Sequence, residues 1–274
     1  MKLPYKFKEA VRNTVMAVLD AAEKVTGRRE PMTPPRRLNN VGSASRFRSD
    51  FNAIGKELLG YLINDGGLKP DDRVLDVGCG VGRMAIAMNS YLTAGTYDGF
   101  DIVKQSIDYC QKAITPVRPS FRFKHADIYS SEYNAQGTIR PADFRFPYRD
   151  GAFTFVFLTS VFTHMQRPEL ETYLAEISRV LAPGGRVFAT YFLLNPVSLA
   201  AIAADRNSEK FPFLTDKGRV QHQFNVDAAV AFEEDYIADL YPTRGMRVTQ
   251  IKYGSWTGEK TNAGYQDALV AVKD

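Results

Sequence analysis

The stretch Val74–Arg83 constrains this chain more than any other. VLDVGCGVGR carries an apolar strand into glycines at alternate positions, Gly78, Gly80 and Gly82, and then into a helix. Glycine is needed where a backbone turns sharply and lies close against another group, because a Cβ would collide. A turn of this kind after a first parallel strand is where open α/β sheets bind ligands.

The pattern downstream agrees with such a sheet. Short apolar runs alternate with helical segments: RVLDVGC, a helix near 82–92, GTYDGFDI, a helix near 103–114, FRFKHADI, FTFVFLTS, a helix near 168–181, and GRVFATYFLL. Five such strands separated by crossovers predict a parallel sheet covered by helices on both faces. The tail segments RVTQIKYGSW and YQDALVAVK predict a closing hairpin whose last strand inserts antiparallel. The expected architecture is Rossmann-like and doubly wound, a mostly parallel seven-stranded sheet with an antiparallel last strand. Segment 194–226 is longer than a usual connection and predicts a cap over the site, followed by a helix over about 227–240.

Upstream, a helix from about residue 50 to Asn64 places Phe51, Ile54, Leu58 and Leu62 on one stripe. Residues 8–26 predict an amphipathic helix whose Val11, Val15, Val18, Ala22 and Val25 recur at spacings of 4, 3, 4 and 3. That stripe predicts packing against the body; a lid or a membrane-surface helix is the alternative. The proline-bearing linker RREPMTPPRRLNN cannot continue the helix. The division expected is a basic helix and linker over 1–48 and a body over 49–274 containing the cap. Residues 1–48 carry eleven Lys/Arg against four Asp/Glu, whereas the body carries 24 against 27. A basic arm of this kind can meet an anionic substrate, a membrane surface or nucleic acid, or serve as a solvated face.

At 274 residues, 45% hydrophobic and 24% charged, the chain suits one large domain with additions. No apolar run reaches the ~18 residues of a membrane span, and MKLPYKFKEAVRN lacks the apolar stretch of a secretory signal. Two cysteines, Cys79 and Cys110, argue for a reducing compartment, so a cytoplasmic location is expected, with peripheral membrane contact through the arm as its variant. The three scattered histidines and two cysteines show no zinc-ligand spacing, and no metal is expected.

The glycine triplet reads G-x-G-x-G, with Asp76 two residues before its first glycine. A dinucleotide site wants G-x-G-x-x-G; here the third glycine comes one residue early and an acid stands inside the strand end. An acid there suits a cationic ligand better than a pyrophosphate. Asp101, ending the second strand, is placed to accept two ribose hydroxyls, and Asp127, ending the third, can accept an adenine amino group. In order along the chain, VLDVGCGVGR, GFDI, HADI, FLTSVFTHM and RVLAPGGRVFAT resemble the class I S-adenosylmethionine-dependent methyltransferases. The resemblance runs from about residue 70 to 193 and loosely through the final hairpin.

It implies that Gly78, Gly80 and Gly82 shape the turn around the methionyl part of S-adenosyl-L-methionine. Asp76 would sit near the ammonium, with Arg83 on the carboxylate. Asp101 would hold the ribose and Asp127 with Ile128 the adenine, Ile102 would also contact the cofactor, and Leu158 and Thr159 would line it from the fourth strand. The resemblance also implies methyl transfer, an in-line displacement that depends mainly on alignment and exclusion of water. A base is required only where the acceptor atom must lose a proton, as a hydroxyl must.

Several subclasses are argued against. The strand end reads LTSV, without the [N/D]-P-P-[Y/F/W] motif of amino-directed DNA methylases, and 152–164 holds no acid for a metal-dependent catechol-type site. The paired-glutamate loop of protein arginine methylases is missing. Basic residues do not interleave with aromatics around the site, which argues against nucleic acid. A small-molecule, sugar or lipid-linked acceptor remains, with a hydroxyl as the expected target. His164, one turn past the cofactor-lining strand, is the candidate base, or else a residue closing the turn. His125 lies within the third strand and reads as structural. Tyr133, Tyr191, Asn195, His222 and Trp256 are candidates for the acceptor pocket, though Trp256 and its aromatic neighbours could equally pack. Two other readings stay open: a non-catalytic cofactor-binding interaction module, and a nicotinamide-dependent oxidoreductase.

Overall fold

The computed structural model describes residues 5–39 and 51–274. The linker residues 40–48, and with them the expected boundary near residue 48, lie outside the described residues.

Seven strands form the main sheet: β1 (Arg73–Val77), β2 (Thr96–Asp101), β3 (Phe121–His125), β4 (Phe153–Leu158), β5 (Leu181–Tyr191), and, near the end of the chain, β10 (Met246–Lys252) and β11 (Asp267–Lys273). Their order across the sheet is β10-β11-β5-β4-β1-β2-β3. All the pairings from β3 through β5 are parallel, while β11 runs antiparallel between β5 and β10. Rossmann-like winding, with the antiparallel last strand, is therefore present as expected.

Alternation along each strand sorts its side chains onto two cores. Leu75 and Val77 of β1 join Val156, Leu158, Val187 and Ala189 on one face. That face is covered by α5 (Arg167–Val180), whose Leu170, Leu174 and Ile177 repeat at helical spacing. Val74 points the other way, with Phe155, Phe157 and Phe188, toward α2 (Phe51–Asn64), α3 (Arg83–Met88) and α4 (Lys104–Ala113). Both faces are covered, so the strands read as near-continuous apolar runs. Each large side chain so buried contributes ~1.5–3 kcal/mol. The entry to α5 is set locally, where the backbone N–H of Gln166 donates to the Glu169 carboxylate at 2.7 Å.

Three expectations are corrected. The helix expected over 82–92 stops at Met88. The one expected over 227–240 starts only at Glu234, because Val230–Glu233 is a strand. That strand is β9 of a small second sheet ordered β6-β9-β8-β7, in which β6 is Leu193–Leu194, β7 Phe213–Thr215 and β8 Gly218–Val220. Together with α6 (Pro196–Ala203) this sheet organises the insertion, and α7 (Glu234–Leu240) follows it. Val230, Ala231 and Phe232 are all buried in succession, as in a strand covered on both faces and paired with β6 and β8 on its edges.

The third correction concerns the first helix, α1 (Tyr5–Val25). Its valine stripe does not pack against the body: Val11, Val15, Val18 and Val25 are all exposed. The opposite face does the docking. Met16 is buried, and Asp20 binds the guanidinium groups of Arg29 at 2.6 Å and Arg36 at 2.8 Å. Charge, together with one methionine, orients the helix. No helix among the described residues is long and apolar enough to cross a membrane.

Candidate active site

The carboxyl ends of β1, β2 and β4 open into a cavity of about 460 Å³. The glycine turn forms its floor. Gly78, Gly80 and Gly82 all have positive φ, at 80°, 52° and 79°, which an L side chain rarely adopts. Gly78 and Gly80 line the cavity, but Gly82 does not. It is packed against α4, where an added Cβ would lie 2.4 Å from Ile114 Cδ1. Gly80 thus leaves open space at the cavity, whereas Gly78 makes room for Val161, whose Cγ2 would lie 2.6 Å from an added Cβ, and Gly82 makes room for a helix.

Asp101 is anchored before any ligand arrives. One carboxylate oxygen accepts the Gly80 N–H at 2.8 Å and the other accepts the Val103 N–H at 2.8 Å. Burial pushes its carboxyl up, and these backbone donors oppose the shift. Asp101 therefore joins β2 to the glycine turn as well as facing the cavity. Asp76 is more deeply enclosed and accepts from the Tyr97 hydroxyl. Burial raises its carboxyl to about 7, against the lowering effects of Tyr97 and of the Arg83 charge.

Arg83 lines the same wall, and burial lowers its pKa. Its Nε is buried with no hydrogen-bond partner among the described residues. A guanidinium whose buried Nε lacks a partner, beside a buried carboxyl group, fits the two charges of an amino-acid zwitterion. The residues present are thus suited to the methionyl end of S-adenosylmethionine. Ile102, Ile128 and Thr159 also line the cavity.

Two of the expected cofactor residues lie elsewhere. Leu158 is fully buried in the α5 core, because strand alternation turns it inward and leaves Thr159 to face the cavity. Asp127 does not line the cavity; its carboxylate accepts the Thr138 hydroxyl at 2.6 Å, which holds its pKa down. It clasps the loop 134–139, whose Ile139 pairs with Ile128.

Among the expected acceptor residues, His164 and Tyr133 do line the cavity. Their rings meet edge to face, with centroids 5.7 Å apart. His164 Nδ1 lies 2.9 Å from the Asp227 backbone carbonyl. A carbonyl only accepts, so Nδ1 must carry the proton, and in the neutral ring Nε2 keeps its lone pair. Asp227 also accepts from the Ser131 hydroxyl at 3.0 Å, tying the end of the insertion to the loop that carries Tyr133.

The remaining candidates are not brought to the cavity. Tyr191 is buried behind it, bonded to the Tyr241 hydroxyl at 2.8 Å and stacked on Phe162. Asn195 caps α6 and donates to Glu234 at 2.8 Å. Trp256 folds back onto Phe192 and Phe211, and its indole N–H donates to the buried Asp267 at 2.8 Å. His222 is exposed on the insertion. His125 bonds the Ile102 carbonyl at 3.1 Å, in keeping with a structural residue.

Several lining residues escaped the sequence reasoning: Leu38, Ser160, Glu169, Tyr173 and Asp227. Ser160 immediately follows the predicted Leu158–Thr159 pair and adopts φ 58°, a conformation that costs of order 1–3 kcal/mol outside glycine. Its N–H donates to Thr190 Oγ1 at 2.8 Å and its hydroxyl to Gln266 at 3.0 Å, which hold the strained turn in place. The nearest sequence signal was the serine of LTSV followed by a β-branched residue, which alone does not report a left-handed turn. Glu169, whose carboxyl burial pushes up, comes from the first turn of α5.

A doubly wound sheet with a glycine turn and anchored carboxylates around one cavity at its strand ends defines an α/β protein built to hold a nucleoside-type cofactor. A family model described as a methyltransferase domain matches residues 74–185. A 27-O-demethylrifamycin SV methyltransferase of Amycolatopsis mediterranei is 29% identical over 198 residues, 69% of this chain and 61% of that protein. An uncharacterized methyltransferase of Schizosaccharomyces pombe is 30% identical over 120 residues, 44% of this chain and 40% of its own length. The chain therefore spans about half the length of these two relatives. Among solved structures, magnesium protoporphyrin IX methyltransferase from Synechocystis, with bound S-adenosylhomocysteine, aligns with a TM-score of 0.52 at 17% identity, covering 87% of this chain and 92% of that one. A methyltransferase of Methanosarcina mazei gives 0.52 at 20% identity, covering 78% and 97%. At these identities the structural likeness speaks for the fold. Over residues 74–185 the chain is similar to the methyltransferase-domain family, and its fold is that of the class I S-adenosylmethionine-dependent methyltransferases.

Proposed function

We propose that this protein transfers a methyl group from S-adenosyl-L-methionine to a hydroxyl of a small-molecule, sugar or lipid-linked acceptor, without a metal, in the cytoplasm. The observation that carries the hydroxyl assignment is the His164–Asp227 hydrogen bond of 2.9 Å, because it leaves Nε2 as a proton acceptor at the wall of the cofactor cavity. The relatives lend support, in that the Amycolatopsis protein is named for an O-methylation.

When bound, the cofactor supplies an electrophilic methyl on a sulfonium. Asp76 and Arg83 would hold its zwitterion, Asp101 its ribose hydroxyls, and Ile102 and Ile128 the base. Asp127 keeps its proposed adenine role only through the loop that it clasps. Val161 and Met165 of the cavity wall exclude water near the acceptor. His164 would take the hydroxyl proton on Nε2 as the oxygen takes the methyl carbon and the C–S bond breaks with its electron pair left on sulfur, while the Asp227 carbonyl would stabilise the imidazolium through Nδ1–H. Tyr133, edge-on to the ring, restricts its rotation and would wall the acceptor.

The test is turnover of S-adenosylmethionine across a panel of phenolic, glycan and lipid-linked alcohols. His164→Ala should lower kcat by 10²–10⁴-fold, the usual size of a general-base contribution, with the Kd for S-adenosylhomocysteine nearly unchanged. Equal turnover in the variant makes His164 a turn-closing residue. Titration with S-adenosylhomocysteine and NADH separates the other readings, since NADH binding alone would return the oxidoreductase, and cofactor binding without turnover the interaction module.

A further inference from the structure

The outward face of α1 is left exposed, with no partner among the described residues. Val18 is 63% exposed and Val25 88%, with Val11, Val15 and Leu19 beside them. Ala17, Ala21 and Ala22 fill the gaps between these side chains, and all are exposed. Every charged residue of Val11–Val25 falls outside this apolar arc. Asp20 and Glu23 face the body, where Arg29 and Arg36 neutralise them. Glu30, beyond the helix, is paired with Lys56 at 3.1 Å. Asp20, Glu23 and Glu30 are thus each paired with a cation, while Lys24 and Arg28 stand exposed near the end of the arc. The sequence before the arc adds Lys2, Lys6 and Lys8 against one acid, Glu9.

We propose that α1 is a membrane-surface helix whose valine stripe seats in the interface of an anionic bilayer while the surrounding lysines and arginines meet the headgroups. Two physical arguments choose lipid over a second copy of the chain. Pairing two such helices would bring net-positive arms together, whereas an anionic surface attracts them. A stripe of five partly exposed aliphatic side chains also falls well short of the ~800 Å² per partner of a stable protein interface. A bilayer needs no matching partner surface and accepts a shallow helix face. The proposal is independent of the acceptor, and it overturns the expectation that the stripe packs internally.

The experiment is co-sedimentation of the full chain with vesicles of phosphatidylcholine alone and of phosphatidylcholine mixed with phosphatidylglycerol. Binding is expected to the anionic vesicles, falling as salt is added. The combined Val11→Gln, Val15→Gln and Val18→Gln variant should lose at least tenfold in partition while keeping its affinity for S-adenosylhomocysteine. A second variant, Lys24→Glu with Arg28→Glu, leaves the stripe intact and should weaken binding to anionic vesicles only. Absence of binding, or equal binding by wild type and both variants, overturns the proposal. A wild-type dimer in light scattering that the glutamine variant dissolves also overturns it, assigning the stripe to a second copy.

Discussion

Asp101 and Asp76 show how much two carboxylates of similar sequence position can differ. Asp101 is held by two backbone donors at 2.8 Å, so its geometry is set before a ribose arrives. Asp101→Ala should weaken S-adenosylhomocysteine binding by ~1.5–3 kcal/mol, the scale of hydrogen bonds to a charged group. An unchanged Kd by calorimetry would remove the ribose assignment. Asp76 has no such backbone donors among the described residues, and burial pushes it from 3.8 to about 7 against the Tyr97 hydroxyl and the Arg83 charge. Because the folded value is raised, its contribution to stability is fullest below pH 3.8 and is lost as the pH climbs through about 7. A cationic ammonium requires the carboxylate, so affinity should fall toward tenfold per pH unit below 7. Asp76→Asn should flatten that profile; a slope that survives the substitution would locate the titration elsewhere.

Among the elements, the glycine turn separates into two functions that its regular spacing conceals. Gly82→Ala drives a Cβ to 2.4 Å from Ile114 and keeps a φ of 79°, so it should cost the fold about 1–3 kcal/mol or more in chemical denaturation. Gly80→Ala meets nothing within 4 Å and should cost the fold only the strain of its positive φ, about 1 kcal/mol, while impairing cofactor binding. Equal stability losses would contradict this division. Strands and crossover helices were legible because apolar runs and helical spacing are local properties. The insertion was not: Val230–Phe232 form a strand only because β6 and β8 lie on either side of it. Asn195 caps α6 from its own first turn, but its bond to Glu234 and the packing of Trp256 on Phe192 and Phe211 need partners distant in sequence.

For the molecule as a whole, the cavity draws on the segment ahead of the body as well as on the sheet. Leu38 comes from the basic segment, packs with Phe51 and Val81, and reaches the cofactor wall. Leu38→Ala should therefore weaken S-adenosylhomocysteine by about 1 kcal/mol, roughly fivefold, through lost apolar burial. Titration of the variant checks this, and an unchanged affinity would show that the arm only borders the site. The arm that composition marked as a separate basic unit is in this respect part of the binding pocket.

The sequence by itself determined the doubly wound sheet, the glycine turn and the carboxylates Asp76 and Asp101. Each is signalled within a few residues, by a backbone that excludes Cβ or by a strand that ends on an acid. Only the tertiary structure decided that Asp127 turns to its own loop, that Tyr191 lies behind the cavity, and that Asp227 orients His164 from 63 residues away. It also decided which face of α1 meets solvent. An apolar stripe reports that a helix has two faces, but the ion pairs of Asp20 and Glu23 with arginines beyond the helix determine which face turns inward.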